Sequence, residues 1–152
     1  MKRKGFVTSI ALLTLVLVAG FVRTASVSAH EGRNGQLNLQ KDCTGYTGNV
    51  GGHCTITLSH FGKIPAGSHI IYDQAAGVPT GLLDSNIVLD AGAGNRAFGR
   101  CTVDFSTELG LCTLFDGTGL LAGFTARVDV SHLGGSLWAW NGTYSFNPLP
   151  PR

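Results

Sequence analysis

Four cysteines, Cys43, Cys54, Cys101 and Cys112, are the residues of this sequence whose types and spacing point to a definite chemistry. Cysteines of an exported chain either bind a metal or oxidise in pairs to disulfides. Zinc-binding cysteines usually come in closely spaced pairs. Here ten residues lie between Cys43 and Cys54, and ten between Cys101 and Cys112. We therefore predict two disulfides and no metal site, although four cysteines allow three connectivities.

A local pattern favours one of these connectivities. If residues 100–105 and 108–113 form a hairpin around Ser106-Thr107, Cys101 lies directly opposite Cys112. Facing residues of an antiparallel pair are close enough for a disulfide. The other pair, Cys43 and Cys54, would then close a glycine-rich loop.

The remaining residue types do not predict a hydrolase or a metalloenzyme. No serine lies in a nucleophile-elbow motif, and the histidines are not spaced as metal-binding pairs. The five histidines are His30, His53, His60, His69 and His132. We expect no cofactor.

Residues 1–29 have the order of a secretory signal peptide. Basic residues 2–4 precede an apolar run from Phe6 to Val22, and small residues at 27–29 form a cleavage site. A retained transmembrane anchor is the alternative, because the run is near the lower limit for a bilayer span, but the cleavage site favours removal. We expect a secreted or periplasmic protein with no membrane attachment after cleavage.

The exported part consists of one domain, residues 30–146, and a proline-rich tail, residues 147–152. The whole sequence has 11 Lys and Arg against 9 Asp and Glu, but four of the basic residues lie within 1–29. The domain is therefore slightly acidic and has no basic cluster. Nucleic acid is thus not an expected partner.

Short segments of alternating apolar and polar residues recur along this domain, bounded by Gly, Pro, Asn and Asp, as is typical of β-strands. No segment has the periodicity of a long amphipathic helix. We predict an all-β protein with eight strands, at residues 35–41, 54–60, 67–73, 85–91, 97–105, 108–116, 120–131 and 136–146.

The last predicted strand places its large aromatic residues on one face. These are Trp138, Trp140, Tyr144 and Phe146. One apolar and one polar face is typical of an antiparallel sheet that closes over a core, so we expect the four rings to line the interior as a core or a ligand pocket. Asn141-Gly142 interrupts the pattern, either as a hairpin turn or, as we favour, a bulge in one long strand.

Eight antiparallel strands in a domain of this length can close into an up-and-down β-barrel, which removes exposed sheet edges. The interior of such a barrel is filled by side chains or holds one small ligand. A two-sheet sandwich is the alternative fold.

The stretch from Gly110 to Val130, GLCTLFDGTGLLAGFTARVDV, contains an Asp-Gly-Thr-Gly turn with alternation on both sides. Glycines at 117 and 119 permit positive φ, so we predict a turn between adjacent strands that holds no ligand. The stretch also resembles the GGTG-x-F/L-x-G segment of the allene oxide cyclase and dirigent proteins. The match extends over residues 110–146 and is most specific at Gly117-Thr118-Gly119 and Gly123, with a weaker similarity at 64–73.

This resemblance implies an eight-stranded barrel with a central cavity. Family members steer ring closure or radical coupling of apolar small molecules without a cofactor. Dirigent proteins have an aspartate just after aromatic residues on an early strand, inside the cavity, and Tyr72-Asp73 resembles that arrangement. An aspartate in an apolar barrel has a raised pKa and can donate or relay a proton, so Tyr72 and Asp73 are the candidate catalytic residues. The alternative is a strand-end aspartate at a turn.

Two classes of function are compatible with these features. The first is an exported barrel that binds an apolar small molecule, with cofactor-free cyclase or dirigent-like activity as the narrower form. The second is a non-catalytic structural or protein-interaction domain of the cell envelope. An interior with free space and polar side chains favours the first class, whereas an interior filled by Trp138, Trp140 and Phe146 favours the second.

Overall fold

The computed structural model describes residues 32–147. The predicted signal peptide and all but the first residue of the predicted tail lie outside this range. The eight strands are β1 (Asn34–Asp42), β2 (His53–Ser59), β3 (His69–Tyr72), β4 (Leu82–Asp90), β5 (Arg96–Asp104), β6 (Leu109–Gly117), β7 (Phe124–Gly134) and β8 (Leu137–Phe146). One turn of 3-10 helix, Gly119–Leu121, lies between β6 and β7. Within 32–147, no helix has the length and apolar character needed to cross a membrane.

The strands close into a barrel in chain order. Each strand pairs antiparallel with the next, and β1 pairs with β8, from Asn34 opposite Ser145 to Asp42 opposite Leu137. The predicted eight-stranded up-and-down barrel is therefore confirmed, and the sandwich is excluded. Closure leaves no strand of the described chain with a free edge.

Alternating burial along the strands forms the core. In β4, for example, Leu83, Ile87 and Leu89 are buried in the interior, while Asn86 is exposed. Each such apolar side chain stabilises the fold by about 1.5–3 kcal/mol. The polar Ser85 is also buried, and its hydroxyl is satisfied because it donates to the carbonyl of Asn86.

The predicted bulge at Asn141-Gly142 is wrong. Strand β8 is continuous there, in unbroken register with both β1 and this part of β7. Gly142 instead permits a close approach of strands, because a Cβ at this position would collide with the carbonyl oxygen of Arg127. A bulge occurs in the pairing of β1 with β2, where Gln40 lies opposite Leu58 and Lys41 opposite Ile56.

Both disulfides have the favoured connectivity, Cys43–Cys54 and Cys101–Cys112. Cys101 lies directly opposite Cys112 across β5 and β6, as the predicted hairpin requires. The first disulfide ties the end of β1 to the start of β2 and closes the loop between them, residues 43–52. Disulfides of this kind are typical of oxidising compartments outside the cytosol.

The two ends of the barrel differ. At the plug end, where the connections 60–68, 91–95 and 118–123 lie, Phe61 packs against Phe124, Tyr144 and Phe146, with ring centroids 4.5–6.3 Å apart. At the mouth end lie the connections 43–52, 73–81, 105–108 and 135–136.

Asp116 and Gly117 are the last residues of β6, and Thr118 and Gly119 begin the connection at the plug end that joins β6 to its antiparallel neighbour β7. The predicted connection between these two strands is confirmed, but it includes one turn of 3-10 helix and of the two glycines only Gly119 has positive φ. The Thr118 hydroxyl donates to the carbonyl of Gly94 at 2.7 Å, and the amide of Gly117 donates to the Asp116 carboxylate at 2.7 Å. Gly119 has φ of +59°, the left-handed conformation that glycine adopts without strain.

Candidate functional site

A buried lysine lies near the mouth end of the barrel. Lys41 follows Leu37 and Leu39 on the inward face of β1 and is only 3% exposed. Lysine is rarely buried unless it is paired with an acid. Among residues 32–147, the ion pairs that form are Arg96–Asp90, Arg100–Asp84 and His132–Glu108, so no carboxylate pairs with Lys41.

The Lys41 amine is held by two aromatic residues. Its Nζ lies 2.5 Å from the hydroxyl oxygen of Tyr72 on β3, within hydrogen-bonding distance. It also lies 5.3 Å from the centre of the Tyr72 ring and 4.8 Å from that of Trp140 on β8. Such cation–π contacts stabilise an ammonium only in part, and they fix the position of the nitrogen.

Burial changes the protonation of both partners. Desolvation lowers the pKa of Lys41 from 10.5 to about 7. Desolvation, followed by the nearby Tyr46 phenol, raises the pKa of Tyr72, which therefore stays protonated at neutral pH. Near pH 7 a large fraction of the Lys41 amine is neutral, and a neutral amine can act as a base or a nucleophile.

The amine faces a recess that opens at the mouth end. Its free space is about 40 Å³, room for about three water molecules and far less than the volume of a drug-sized site. The recess is lined by Lys41, Cys43, Tyr46, Cys54, Tyr72, Leu83, Val103, Phe105, Val130 and Trp138. Elsewhere in the interior, large side chains such as Trp140 and Phe124 are fully buried.

Two hydrogen-bond donors beside the lysine have no acceptor. Among the described residues, the buried side-chain polar atoms without a partner are the Tyr46 hydroxyl and the Trp140 indole nitrogen. The Tyr46 ring packs on that of Tyr72 with centroids 5.0 Å apart, and the Trp140 ring lies under the Lys41 amine. Unsatisfied buried donors are costly, and this group of donors suits a ligand that brings an oxygen acceptor.

Apolar side chains are exposed at the mouth end, and one of them, Phe105, lines the recess. Within 32–147, six of the nine exposed large apolar residues lie at the mouth end, on its loops or on the strand residues next to them. They are Val50, Val78, Phe105, Leu109, Leu133 and Leu137. Clusters of exposed apolar side chains mark interaction or ligand-binding surfaces.

The structure separates the two candidate catalytic residues. Tyr72 is buried at the recess, but Asp73 follows the end of β3 and is exposed. The expectation that Asp73 lies in the cavity is therefore wrong, because the strand alternation that turns Tyr72 inward turns the next residue outward. Its amide donates to the carbonyl of Asn86, as at an ordinary strand end.

The four aromatic residues of β8 face inward, but they lie at different ends. Trp138 lines the recess and Trp140 lies beneath Lys41. Tyr144 and Phe146 belong to the plug, so these two do not line the recess. The predicted pocket residues thus divide into one pair near the amine and one pair that packs the opposite end.

Lys41 was not among the residues that the sequence pattern selected. Lys41 is two residues after Leu39 and four after Leu37, so the alternation along β1 indicates that it faces inward. A lysine at the end of an alternating segment is, however, ordinarily exposed to solvent. The described part of the chain has no cluster of three or more His, Cys, Asp or Glu side chains that could hold a metal ion.

The arrangement therefore combines a deeply buried amine, a protonated phenol and a mostly apolar recess. It can bind an oxygen-bearing head group, and it can move a proton between the lysine and the tyrosine. Comparison of the chain with models of protein families, with curated proteins and with solved structures finds no match.

Proposed function

We propose that the protein is an exported barrel that binds a small apolar molecule through an oxygen-bearing head group at Lys41. The observation that carries the proposal is the burial of this lysine without an acidic partner at the base of an apolar recess. The two disulfides and the signal-like segment 1–29 support a secreted or periplasmic location.

The energetics of burial support a binding role for Lys41. An apolar side chain at this position would fill the barrel without the desolvation cost of an ammonium group. A ligand oxygen would accept hydrogen bonds from Nζ and from the unpartnered hydroxyl of Tyr46, which also lines the recess. A bound ligand would therefore give Lys41 the oxygen partner that no carboxylate provides in the free protein.

The size of the recess limits what can enter it. A free space of about 40 Å³ admits a carboxylate or carbonyl group, whereas an apolar body must lie over the rim. Phe105, which lines the recess and is partly exposed, supplies a contact for such a body. Cyclase or dirigent-like activity, which the resemblance implies, is the narrower form of this proposal and would use the same recess.

Intrinsic fluorescence offers a direct test, because the sequence has two tryptophans and both lie beside the recess. We expect hexanoate to change the tryptophan emission saturably. Lys41→Met should weaken hexanoate binding at least about 10-fold, the loss of one charge-assisted hydrogen bond. Lys63→Met is the matched control, because Lys63 lies over the Phe146 ring at the plug end.

The absence of any saturable change with hexanoate would contradict the proposal, as would equal binding by the Lys41→Met and Lys63→Met variants. The alternative, a non-catalytic structural or interaction domain of the envelope, would then be favoured. Native mass spectrometry of protein purified from its own host gives a second readout, because a co-purifying small molecule should be lost from Lys41→Met alone.

A further inference from the structure

We propose that Lys41 captures aldehydes or ketones covalently, as an imine at Nζ. This inference rests on the proposed function, because it assigns a carbonyl as the head group that enters the recess. The observations that carry it are the enclosed amine, the tyrosine hydroxyl in contact with it and the absence of an acid paired with it among the described residues.

The position of Nζ suits a nucleophile. The Lys41 nitrogen lies 5.3 Å from the centre of the Tyr72 ring and 4.8 Å from that of Trp140, in a recess whose other lining residues are mostly apolar. A desolvated lysine in an apolar pocket is a recurrent form of the activated amine. The enclosure also limits the water that would hydrolyse an imine.

The reaction balances with the groups present. The Nζ lone pair attacks the carbonyl carbon and a C–N bond forms; Tyr72 donates its phenolic proton to the carbonyl oxygen and recovers one from nitrogen, which gives a carbinolamine. Tyr72 then donates again, to the departing hydroxyl, and takes the remaining N–H proton, so water leaves and the C=N bond forms. Amine and carbonyl are consumed, imine and water are produced, and no oxidant or reductant is involved.

Among residues 32–147, the titratable side chains that line the recess with Lys41 are Tyr72 on β3 and Tyr46 on the loop after β1, and the cysteines nearby are joined in a disulfide. His132, which pairs with Glu108, packs on Trp138 with ring centroids 4.7 Å apart but does not line the recess. The other strands that line the recess present apolar or aromatic side chains, namely Leu83, Val103, Val130 and Trp138. The pH dependence of capture should therefore follow Lys41 itself. Capture increases as pH rises through about 7, because the amine then loses its proton.

Carboxylate binding should show the opposite pH dependence. A carboxylate pairs with the ammonium form of Lys41, so hexanoate should bind more tightly as pH falls through about 7. The two ligand classes thus report on the two protonation states of one residue. A structural lysine that merely fills space would produce neither trend.

Trapping with propanal and sodium cyanoborohydride tests the inference, since the hydride reduces an imine to a stable N-propyl lysine. The described chain has two lysines, Lys41 and Lys63, so peptide mapping compares a recess amine with an internal control. We expect Lys41 to be propylated at least about 10-fold faster than Lys63 near neutral pH. Tyr72→Phe should reduce the rate at Lys41 about 100-fold, the lower end of the usual contribution of a positioned acid or base, while the rate at Lys63 is unchanged.

Equal labelling of the two lysines, or labelling of Lys41 that does not rise with pH, would overturn the inference. The proposed function would survive that result if hexanoate still bound in a Lys41-dependent manner. It would fail separately if Lys41 were labelled selectively but no carboxylate or carbonyl compound changed the tryptophan emission saturably. The melting temperature of Tyr72→Phe and its emission spectrum show whether that variant is folded.

Discussion

At the residue scale, Lys41 combines a charged group with a site that excludes water. The barrel buries this side chain almost completely, and its neighbours supply a phenol and two rings but no carboxylate. Burial of a charge is tolerated when the group can give up its proton. Lys41 therefore changes the pH dependence of stability as well as the chemistry of the recess.

We predict that Lys41→Met is more stable than the wild-type protein at acidic pH and that this advantage shrinks as pH rises. Below about pH 7 both folded and unfolded protein hold the proton, so the fold bears the full cost of a buried ammonium. Between about 7 and 10.5 the folded protein has released the proton and the unfolded chain retains it, so wild-type stability rises. The change is on the order of 5 kcal/mol, at roughly 1.4 kcal/mol per pKa unit.

Urea denaturation at a series of pH values measures this effect. Lys63→Met is the control for removal of a lysine at the other end of the barrel. An advantage of Lys41→Met that stays constant with pH, relative to Lys63→Met, would contradict a desolvated Lys41.

At the element scale, alternation along the strands predicted whether a residue faces inward or outward, but not its position along the barrel axis. The inward orientation of Trp140 and Tyr144 follows from period-two spacing along β8. Their assignment to the mouth and the plug does not, because it depends on the register between β8 and β1. The same reasoning applies to Lys41. The alternation along β1 indicates that its side chain faces inward, but its burial depends on Tyr72 of β3 and on the loop after β1, which the alternation does not specify.

Short-range chemistry was easier to predict than long-range contacts. Cys101 and Cys112 lie opposite each other because a hairpin fixes its own register. The contact of Lys41 with Tyr72 joins strands that are not adjacent, and no local pattern specifies it. The position of Asn141-Gly142 was misjudged because glycine is common both at bulges and where two backbones approach closely.

For the turn between β6 and β7, we predict that Gly119→Val lowers stability by about 1–3 kcal/mol, as expected for a β-branched residue forced to positive φ. Its Cβ would also collide with the side-chain oxygen of Asn95. Asp116→Ala should cost less, because it removes only an exposed cap on the Gly117 amide.

Neither turn variant should alter hexanoate binding, since the turn lies at the plug end and Lys41 near the mouth. Thermal denaturation and the fluorescence titration measure the two properties separately. Loss of hexanoate binding in Asp116→Ala, at an unchanged melting temperature, would show that the turn is a ligand site after all.

At the scale of the whole molecule, the two disulfides have the same sequence separation, 11, but different positions. Cys101–Cys112 joins two paired strands of the barrel wall, whereas Cys43–Cys54 closes the loop that carries Tyr46 and contributes to the recess. Loops of similar length contribute similarly in the chain-entropy model. The two disulfides should therefore differ in their effect on binding more than in their effect on stability.

We predict that replacing either pair by serines lowers stability by about 2–3 kcal/mol. Only Cys43→Ser with Cys54→Ser should also weaken hexanoate binding, because the loop with Tyr46 loses its covalent restraint at the recess. Denaturation curves and titrations of the two double variants provide the comparison. Equal loss of binding in both would indicate that the recess depends on overall stability alone.

Closure of β1 against β8 has a consequence for how the molecule can be presented on a surface. Asn34 pairs with Ser145, so the described chain enters and leaves the barrel side by side at the plug end. The recess opens at the opposite end. The two ends of the described chain, near residues 34 and 145, therefore leave the barrel on the side away from the recess, and an attachment made at either of these positions would leave the mouth end uncovered.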